Sequence, residues 1–428
     1  MEKVIIKPSL LKGEVIIPPS KSLGHRGIIA ASLSRGVCKI FNVQYSKDIL
    51  ATLNIMENLG VKVKKDENSL MIDGKDIFNF YKDEISLDCN ESGSTLRFLI
   101  PVSLIRHGNY VFCGSGKLGE RPLKPYYEIF DKKNVSYFAD EGGLPLHISG
   151  GLKSGIYKVE GNVSSQFITG LMFALPMLDG DSEIHIINKL ESKGYVDLTL
   201  DVLRCFGIII ENQDYKTFKI KGNQSYEAKD YYIEGDYSQG AFFLVAGAIG
   251  SSIHCKGLKE NSLQGDKVII DILKRMGALV VRNGDNVCAK PSKTKGIDID
   301  VSDCPDLVPI LAVLGSLSQG TTKILNAKRV RTKECDRLMA ITKELNKMGA
   351  KITELEDSLI IEGINEFQGG TVSSHNDHRI AMALSIAATR AKNPVVIEEA
   401  NSIEKSYPNF YEDYILLGGK VDELNNRK

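Results

Sequence analysis

At 428 residues, 43% apolar and 25% charged, the chain is long enough for two or three globular domains with a sizeable core. Lysine plus arginine balances aspartate plus glutamate at 54 each, so no global field draws the chain to nucleic acid or a membrane surface, and any cationic site must be local. No apolar run approaches the roughly 20 residues of a membrane span and MEKVIIKPSL carries no signal-peptide pattern, so a cytoplasmic setting is expected.

Val4-Ile5-Ile6 reads as an opening strand in a segment that ends at Pro18-Pro19. Gly24 to Ser34 follows as a helix, Cys38-Lys39-Ile40-Phe41 as a strand, Ser46 to Leu59 as a second helix and Val61-Lys62-Val63 as the next strand. Ile49, Leu53, Met56 and Leu59 give that second helix an apolar face near the 3.6-residue period. The same plan returns at Gly240 to Ile249, Ser252 to Cys255, Gln264 to Met276 and Ala278 to Val281. Alternating helices and strands make this an α/β protein.

The plan recurs six times. Helix exits of similar sequence stand at Leu59-Gly60, Asn134, Gly207, Gly277, Gly349 and Gly418, roughly 70 residues apart, as in a repeat architecture. Each copy opens on a polar cluster running into an apolar helix: SKSLGHR from Ser20, ESGSTLR from Glu91, SSQFIT from Ser164, DYSQGAFF from Asp236, CPDLVP from Cys304 and NDHRIAM from Asn376. Polar residues before an apolar run are helix N-cap signals, but Lys21, Arg26, Arg97 and Arg379 exceed what capping requires. Six helix starts facing one another would make an anion site. Six copies divide as three plus three, with the weak point near Glu234-Gly235-Asp236.

Each cluster also has a plainer reading. Lys21, Ser22 and Arg26 surround a helix start, which suits an anion or merely a capped surface helix; GxxxxGK[ST] is missing, so this is no P-loop. Arg121, between Gly119 and Pro122, could be an ordinary exposed arginine on a stiff loop. Ser164, Ser165 and Gln166 could be an N-cap with spare hydroxyls. RVRTKECDR packs Arg329, Arg331, Lys333 and Arg337 with Glu334 and Asp336, which reads as a solvated face or as a phosphate clamp holding an acid. Asp306 leads into an apolar helix, as a cap or as a catalytic carboxylate, while Arg379 and Lys405 add two further cations. The eight cysteines form no CxxC pair, so reduced thiols are expected and a metal site is not; no hydrolytic triad motif is present either.

In combination SKS–R, SSQ, SKxY, RxKExDR, NDHR and KSYP resemble the 5-enolpyruvylshikimate-3-phosphate synthase family, from PPSKS near the start to EKSYPNF near the end. The resemblance implies a two-domain inside-out α/β barrel of six βαβαββ units, three per domain, with helix N-termini pointing into the cleft. The first domain would be 19–235 and the second 1–18 with 236–428, with hinges near 18–20 and 234–237. It implies transfer of the enolpyruvyl group of phosphoenolpyruvate to the 5-hydroxyl of shikimate 3-phosphate, with domain closure, no cofactor, no metal and no macromolecular partner, by a monomer. Carried over by position, Lys21, Ser22, Arg26, Ser164, Ser165, Gln166, Ser192, Tyr195, Asp306 and Lys333 would contact shikimate 3-phosphate. Lys21, Gly93, Arg121, Gln166, Arg337, Arg379 and Lys405 would contact phosphoenolpyruvate, and Asp306, Glu334 and Lys21 would be catalytic.

The chain departs from the family pattern at Glu91 in Glu91-Ser92-Gly93-Ser94, at His25, at Arg329 and at Phe98. Two rivals stand beside this reading. A UDP-N-acetylglucosamine 1-carboxyvinyltransferase typically has a cysteine five residues before the loop arginine, where this chain has Gly116. A non-catalytic repeat scaffold or nucleic-acid clamp would call for a basic, aromatic-interleaved face, which is missing.

Overall fold

The computed structural model describes residues 2–79 and 83–424. The chain splits into two compact units, one of residues 19–233 and one of residues 1–18 with 234–428. Each unit holds three four-stranded sheets, and all six sheets share one pattern: a parallel pair, then two antiparallel pairings. In the first unit, for instance, Ile85–Asp88 runs parallel to Gly108–Cys113, which pairs antiparallel with Leu146–Gly150 and so on to Ser136–Ala139. In the second unit the opening strand Lys3–Lys7 fills the place of a hairpin strand, pairing antiparallel with Val395–Glu398 and Lys420–Leu424. The sixth repeat is thus completed by the first residues of the chain.

Between the strands, among the described residues, lie twelve α-helices: α1 (Lys21–Leu33), α2 (Lys47–Asn58), α3 (Gly93–Ser103), α4 (Lys124–Lys133), α5 (Ser165–Ala174), α6 (Lys193–Cys205), α7 (Tyr237–Ile249), α8 (Ile269–Arg275), α9 (Val308–Ser316), α10 (Arg337–Lys347), α11 (His378–Ala388) and α12 (Phe410–Leu416). The odd-numbered helices open the repeats and are buried nearly all round; α7, α9 and α11 are buried at every position. Helices apolar on every face belong in the core, not at its surface. In the first unit α3 packs on α5, where Gly170 admits the Arg97 carbonyl and the Tyr126 hydroxyl; a Cβ there would lie 2.5 Å from Tyr126 Oη.

The even-numbered helices close the repeats, and their exits share one conformation. Gly60, Asn134, Gly207, Gly277, Gly349 and Gly418 all have positive φ, from 55° at Asn134 to 100° at Gly60. Glycine and asparagine recur there because a left-handed residue terminates a helix at little steric cost.

Two element boundaries differ from the sequence reading. α1 begins at Lys21, directly after Ser20, so Lys21 and Ser22 lie in its first turn and not in a preceding loop. The predicted helix Gln264 to Met276 is a 3₁₀ turn over Gly265–Val268 followed by the short α8. Gln264 does not cap it, because its side-chain amide donates to Glu234 Oε1 and the Gly235 carbonyl, both at 2.8 Å. Among the described residues no helix is long and apolar enough to cross a membrane.

Candidate active site

On residues 19–233 the first turns of α1, α3 and α5 each carry polar side chains. Ser92 and Ser164 cap α3 and α5 through backbone N–H groups at 3.2 and 3.3 Å, whereas Ser20 makes no side-chain cap. Lys21 instead reaches Asp48 in the first turn of α2, Nζ to Oδ2 at 2.8 Å. Behind it, His25 Nδ1 meets Thr52 Oγ1 at 2.8 Å, Thr52 meets Thr95 at 2.8 Å, and Thr95 donates to Ser92 Oγ at 2.7 Å. This chain ties the openings of α1 and α3 together. Burial, reinforced by Lys21 and Arg26, drives the His25 pKa well below its ordinary value, so the imidazole is neutral.

Arg26 is only 2% exposed. It donates to the Ser22 carbonyl at 2.8 Å, the Tyr195 carbonyl at 3.0 Å and Thr199 Oγ1 at 2.9 Å, with its guanidinium 5.1 Å from the Phe98 ring centre. Burial lowers its pKa to about 10, which leaves it charged at neutral pH. Arg26 therefore fixes the backbones of two other site residues, Ser22 and Tyr195. Phe98, a departure from the family pattern, is one wall of its slot.

Gln166 is held on both sides: its Oε1 accepts from Arg97 at 2.7 Å and its Nε2 donates to Ser94 Oγ at 2.9 Å. Gly93 opens α3 so close to Arg121 that a Cβ would lie 2.5 Å from the guanidinium. Ser165 is buried in the first turn of α5, and Ser192 is buried with φ 55° just before α6. Glu91 lies against the turn at Gly116, where a Cβ would come within 2.5 Å of its carboxylate.

On the other unit one arginine organises the centre. Arg337, 1% exposed at the start of α10, donates from Nε to Asp377 Oδ2, from one terminal nitrogen to Asp306 Oδ1 and from the other to Glu334 Oε2, each at 2.7 Å. Asp306 faces two more cations, Arg379 at 3.3 Å and Lys333 at 3.6 Å. It sits in the 3₁₀ turn Pro305–Leu307 before α9. Burial by itself would raise the Asp306 pKa; Arg379, Lys333 and Arg337 outweigh it and hold the carboxyl well below its usual range. Burial also lowers the Lys333 pKa, against the pull of Asp306. Lys405, 6% exposed, donates to the Asn376 carbonyl at 2.6 Å.

The charge run RVRTKECDR divides. Lys333, Glu334 and Arg337 belong to the centre. Arg331 joins Asp336 at 2.8 Å and Glu354 at 2.6 Å, and Arg329 donates to the Ser302 carbonyl at 2.6 Å. Each is a structural tie.

The structure adds residues the motif reading passed over. Asp48 belongs to none of the motifs, yet it holds Lys21. Asp377 lay inside the quoted NDHR motif; it caps α11 through the Arg379 N–H at 2.8 Å while gripping Arg337. Asp266 had no signal. It is 3% exposed and takes the Ser238 hydroxyl; burial and the neighbouring Asp306 raise its pKa to about 7, opposed by Arg379. None of the eight cysteines is disulfide-bonded, and no metal-binding cluster occurs among the described residues.

The family model described as EPSP synthase (3-phosphoshikimate 1-carboxyvinyltransferase) matches residues 5–414. The chain belongs to the EPSP synthase family. It is 53% identical over 420 residues to a 3-phosphoshikimate 1-carboxyvinyltransferase of Clostridium perfringens, covering 98% of this chain and 99% of the relative. A Clostridioides difficile protein of the same name is 51% identical over 437 residues, with full coverage of both chains. Among solved structures, an EPSP synthase from Acinetobacter baumannii superposes with a TM-score of 0.82 at 25% identity, covering 99% of this chain and 100% of that one. The six-repeat α/β architecture expected from the sequence is that of the family, and the family favours the shikimate-phosphate reading over both rivals.

Proposed function

We propose that this EPSP synthase family member transfers the enolpyruvyl group of phosphoenolpyruvate to the 5-hydroxyl of shikimate 3-phosphate, with the side chains of the two units described above as its machinery. The observation that carries the residue assignment is Asp306, a buried carboxylate shared by Arg337, Arg379 and Lys333, with Glu334 on the same arginine. Such an arrangement holds a base and an acid beside cations able to take a phosphate and a carboxylate.

In the first step Glu334 gives its proton to the methylene carbon of phosphoenolpyruvate as the shikimate 5-hydroxyl oxygen bonds to the neighbouring carbon. The hydroxyl proton passes to Asp306, assisted by Lys333 or Lys21 in the overall cycle. In the second step the Glu334 carboxylate takes back a proton from the new methyl group, the carbon–carbon double bond returns, and the bond to phosphate breaks, the departing phosphate taking the proton held by Asp306. Asp306 is a weak base while three cations surround it. Phosphoenolpyruvate that engages Arg337 and Arg379 withdraws part of that stabilisation, so the carboxylate becomes more basic once the substrate is bound. Water exclusion would protect the enol ether and strengthen every charge interaction.

On this reading Lys21, Ser22, Arg26, Ser164, Ser165, Gln166, Ser192, Tyr195, Asp306 and Lys333 serve shikimate 3-phosphate. Lys21, Gly93, Arg121, Gln166, Arg337, Arg379 and Lys405 serve phosphoenolpyruvate. The division into domains at 18–20 and 234–237 is part of the same proposal, and the split into two compact units supports it; a monomeric state and a cytoplasmic setting are proposed with it.

The partition is tested at two arginines. Losing a charge-assisted hydrogen bond weakens binding by about tenfold to hundredfold. Arg26→Ala should weaken shikimate 3-phosphate binding to the free enzyme by that factor in calorimetry, because Ser22 and Tyr195 lose their anchor. Arg379→Ala should leave that binding within about twofold and raise the KM for phosphoenolpyruvate, since a single lost contact acts on one substrate. Abolished shikimate 3-phosphate binding in folded Arg379→Ala would overturn the partition.

Gly93→Ala should fold, because the added methyl meets only the far end of the Arg121 side chain. The displaced guanidinium should raise the KM for phosphoenolpyruvate by about tenfold, the scale of one weakened ionic contact. An unchanged KM would remove Arg121 from the phosphoenolpyruvate set.

A further inference from the structure

Arg337, Arg379 and Lys405 come from three different elements, yet one short segment holds all of them. Asp377 takes the Arg337 guanidinium and the Arg379 backbone N–H, and the Asn376 carbonyl takes Lys405 Nζ at 2.6 Å. The segment is conformationally unusual. His375 and Asn376 are consecutive non-glycine residues with φ of 51° and 54°. Two adjacent left-handed residues persist only where their surroundings over-determine them.

What determines them is a pair of carboxylates from outside the segment. Glu399 accepts from the Asn376 N–H at 3.2 Å and from Ser373 Oγ at 2.8 Å. Glu344, on the last turns of α10 and 0% exposed, accepts from the Ser373 N–H at 3.1 Å, meets His375 Nε2 at 2.9 Å and takes Lys347 Nζ at 2.7 Å. Glu344 thus grips both ends of the bend that feeds into Asn376 and Asp377. It also lies two helical turns along α10 from Arg337, so one rigid element carries both the arginine and the anchor of the aspartate that orients it.

We infer that Glu344 is a positioning residue for the phosphoenolpyruvate cations, acting through the Ser373–Asp377 segment and touching no substrate itself. This inference rests on the assignment of Arg337, Arg379 and Lys405 proposed above. Without the Glu344 carboxylate the segment loses two of its fixed points, and Asp377 and the Asn376 carbonyl sample positions that no longer align the three cations. The effect should fall on phosphoenolpyruvate and spare shikimate 3-phosphate.

The test uses Glu344→Gln and His375→Ala in the full chain, with wild type alongside to establish phosphate release requiring both substrates. His375 is the more exposed member of the contact, so its replacement remains informative should Glu344→Gln fail to fold. Both variants should raise the KM for phosphoenolpyruvate by about fivefold to tenfold, the scale of one ordinary hydrogen bond because the effect is indirect, with the calorimetric Kd for shikimate 3-phosphate within about twofold of wild type. Amide hydrogen exchange at residues 373–379 should quicken in both. A KM within twofold of wild type in a folded variant would overturn the inference, as would equal weakening of both substrates, the mark of a general loss of structure. Wild type that releases no phosphate would instead defeat the functional reading on which the inference rests.

Discussion

Glu334→Gln and Asp306→Asn should each lower kcat by about 10²–10⁴-fold, the usual contribution of a positioned acid or base. Both substitutions preserve size and leave an oxygen to accept from Arg337, so Arg337 and Asp377 should keep their contact. Only the charge and the transferable proton disappear. Shikimate 3-phosphate binding should therefore change far less than turnover. The two variants should also differ. Glu334→Gln blocks protonation of the methylene carbon, so no tetrahedral adduct should accumulate in rapid-quench experiments. Asp306→Asn should slow adduct formation without abolishing it, because the hydroxyl loses its base while Glu334 can still protonate the methylene carbon. Near wild-type kcat in either variant would remove that residue from the chemistry.

Arg337→Met should be the most damaging single change to the second unit's centre. Removing one partner of a buried ionic network typically costs about 3–5 kcal/mol, because the remaining charges stay buried without compensation. Here the groups left behind are the carboxyls of Asp306, Glu334 and Asp377, all taking hydrogen bonds from this one side chain. Asp377 and Asp306 retain contacts with the backbone and side chain of Arg379, which softens the loss without cancelling it. Chemical denaturation should show a stability loss on that scale, with activity lost even where the variant stays folded. Arg337→Lys should recover part of the stability but little activity, since a single ammonium cannot reach three carboxylates in the geometry of a guanidinium fork. Full stability in Arg337→Met would mean the carboxylates find other partners.

Much of the architecture was legible because the repeat carries its own punctuation. A left-handed exit favours glycine or asparagine, and those residues mark the end of all six even-numbered helices. Uniformly apolar helices such as α7 and α9 announced burial on every side. What the linear pattern could not express was the direction of individual side chains. Asp306 before an apolar helix looks the same whether it caps that helix or turns to meet Arg337. Arg331 and Arg337 sit in one charge run, yet the first ties Asp336 and Glu354 and the second is buried among three carboxylates. Asp48, Asp266 and Glu344 were silent because each acts through a contact 27 or more residues away in sequence. Arg26 was singled out as a candidate from SKS–R, but its hold on the Ser22 and Tyr195 carbonyls appears only in three dimensions.

The measurement that bears most directly on the central claim is release of inorganic phosphate from phosphoenolpyruvate by the purified full chain, with the acceptor varied. Release is predicted with shikimate 3-phosphate, stoichiometric with formation of its 5-enolpyruvyl ether, and neither with UDP-N-acetylglucosamine nor without an acceptor. Phosphate release with UDP-N-acetylglucosamine and none with shikimate 3-phosphate would contradict the account.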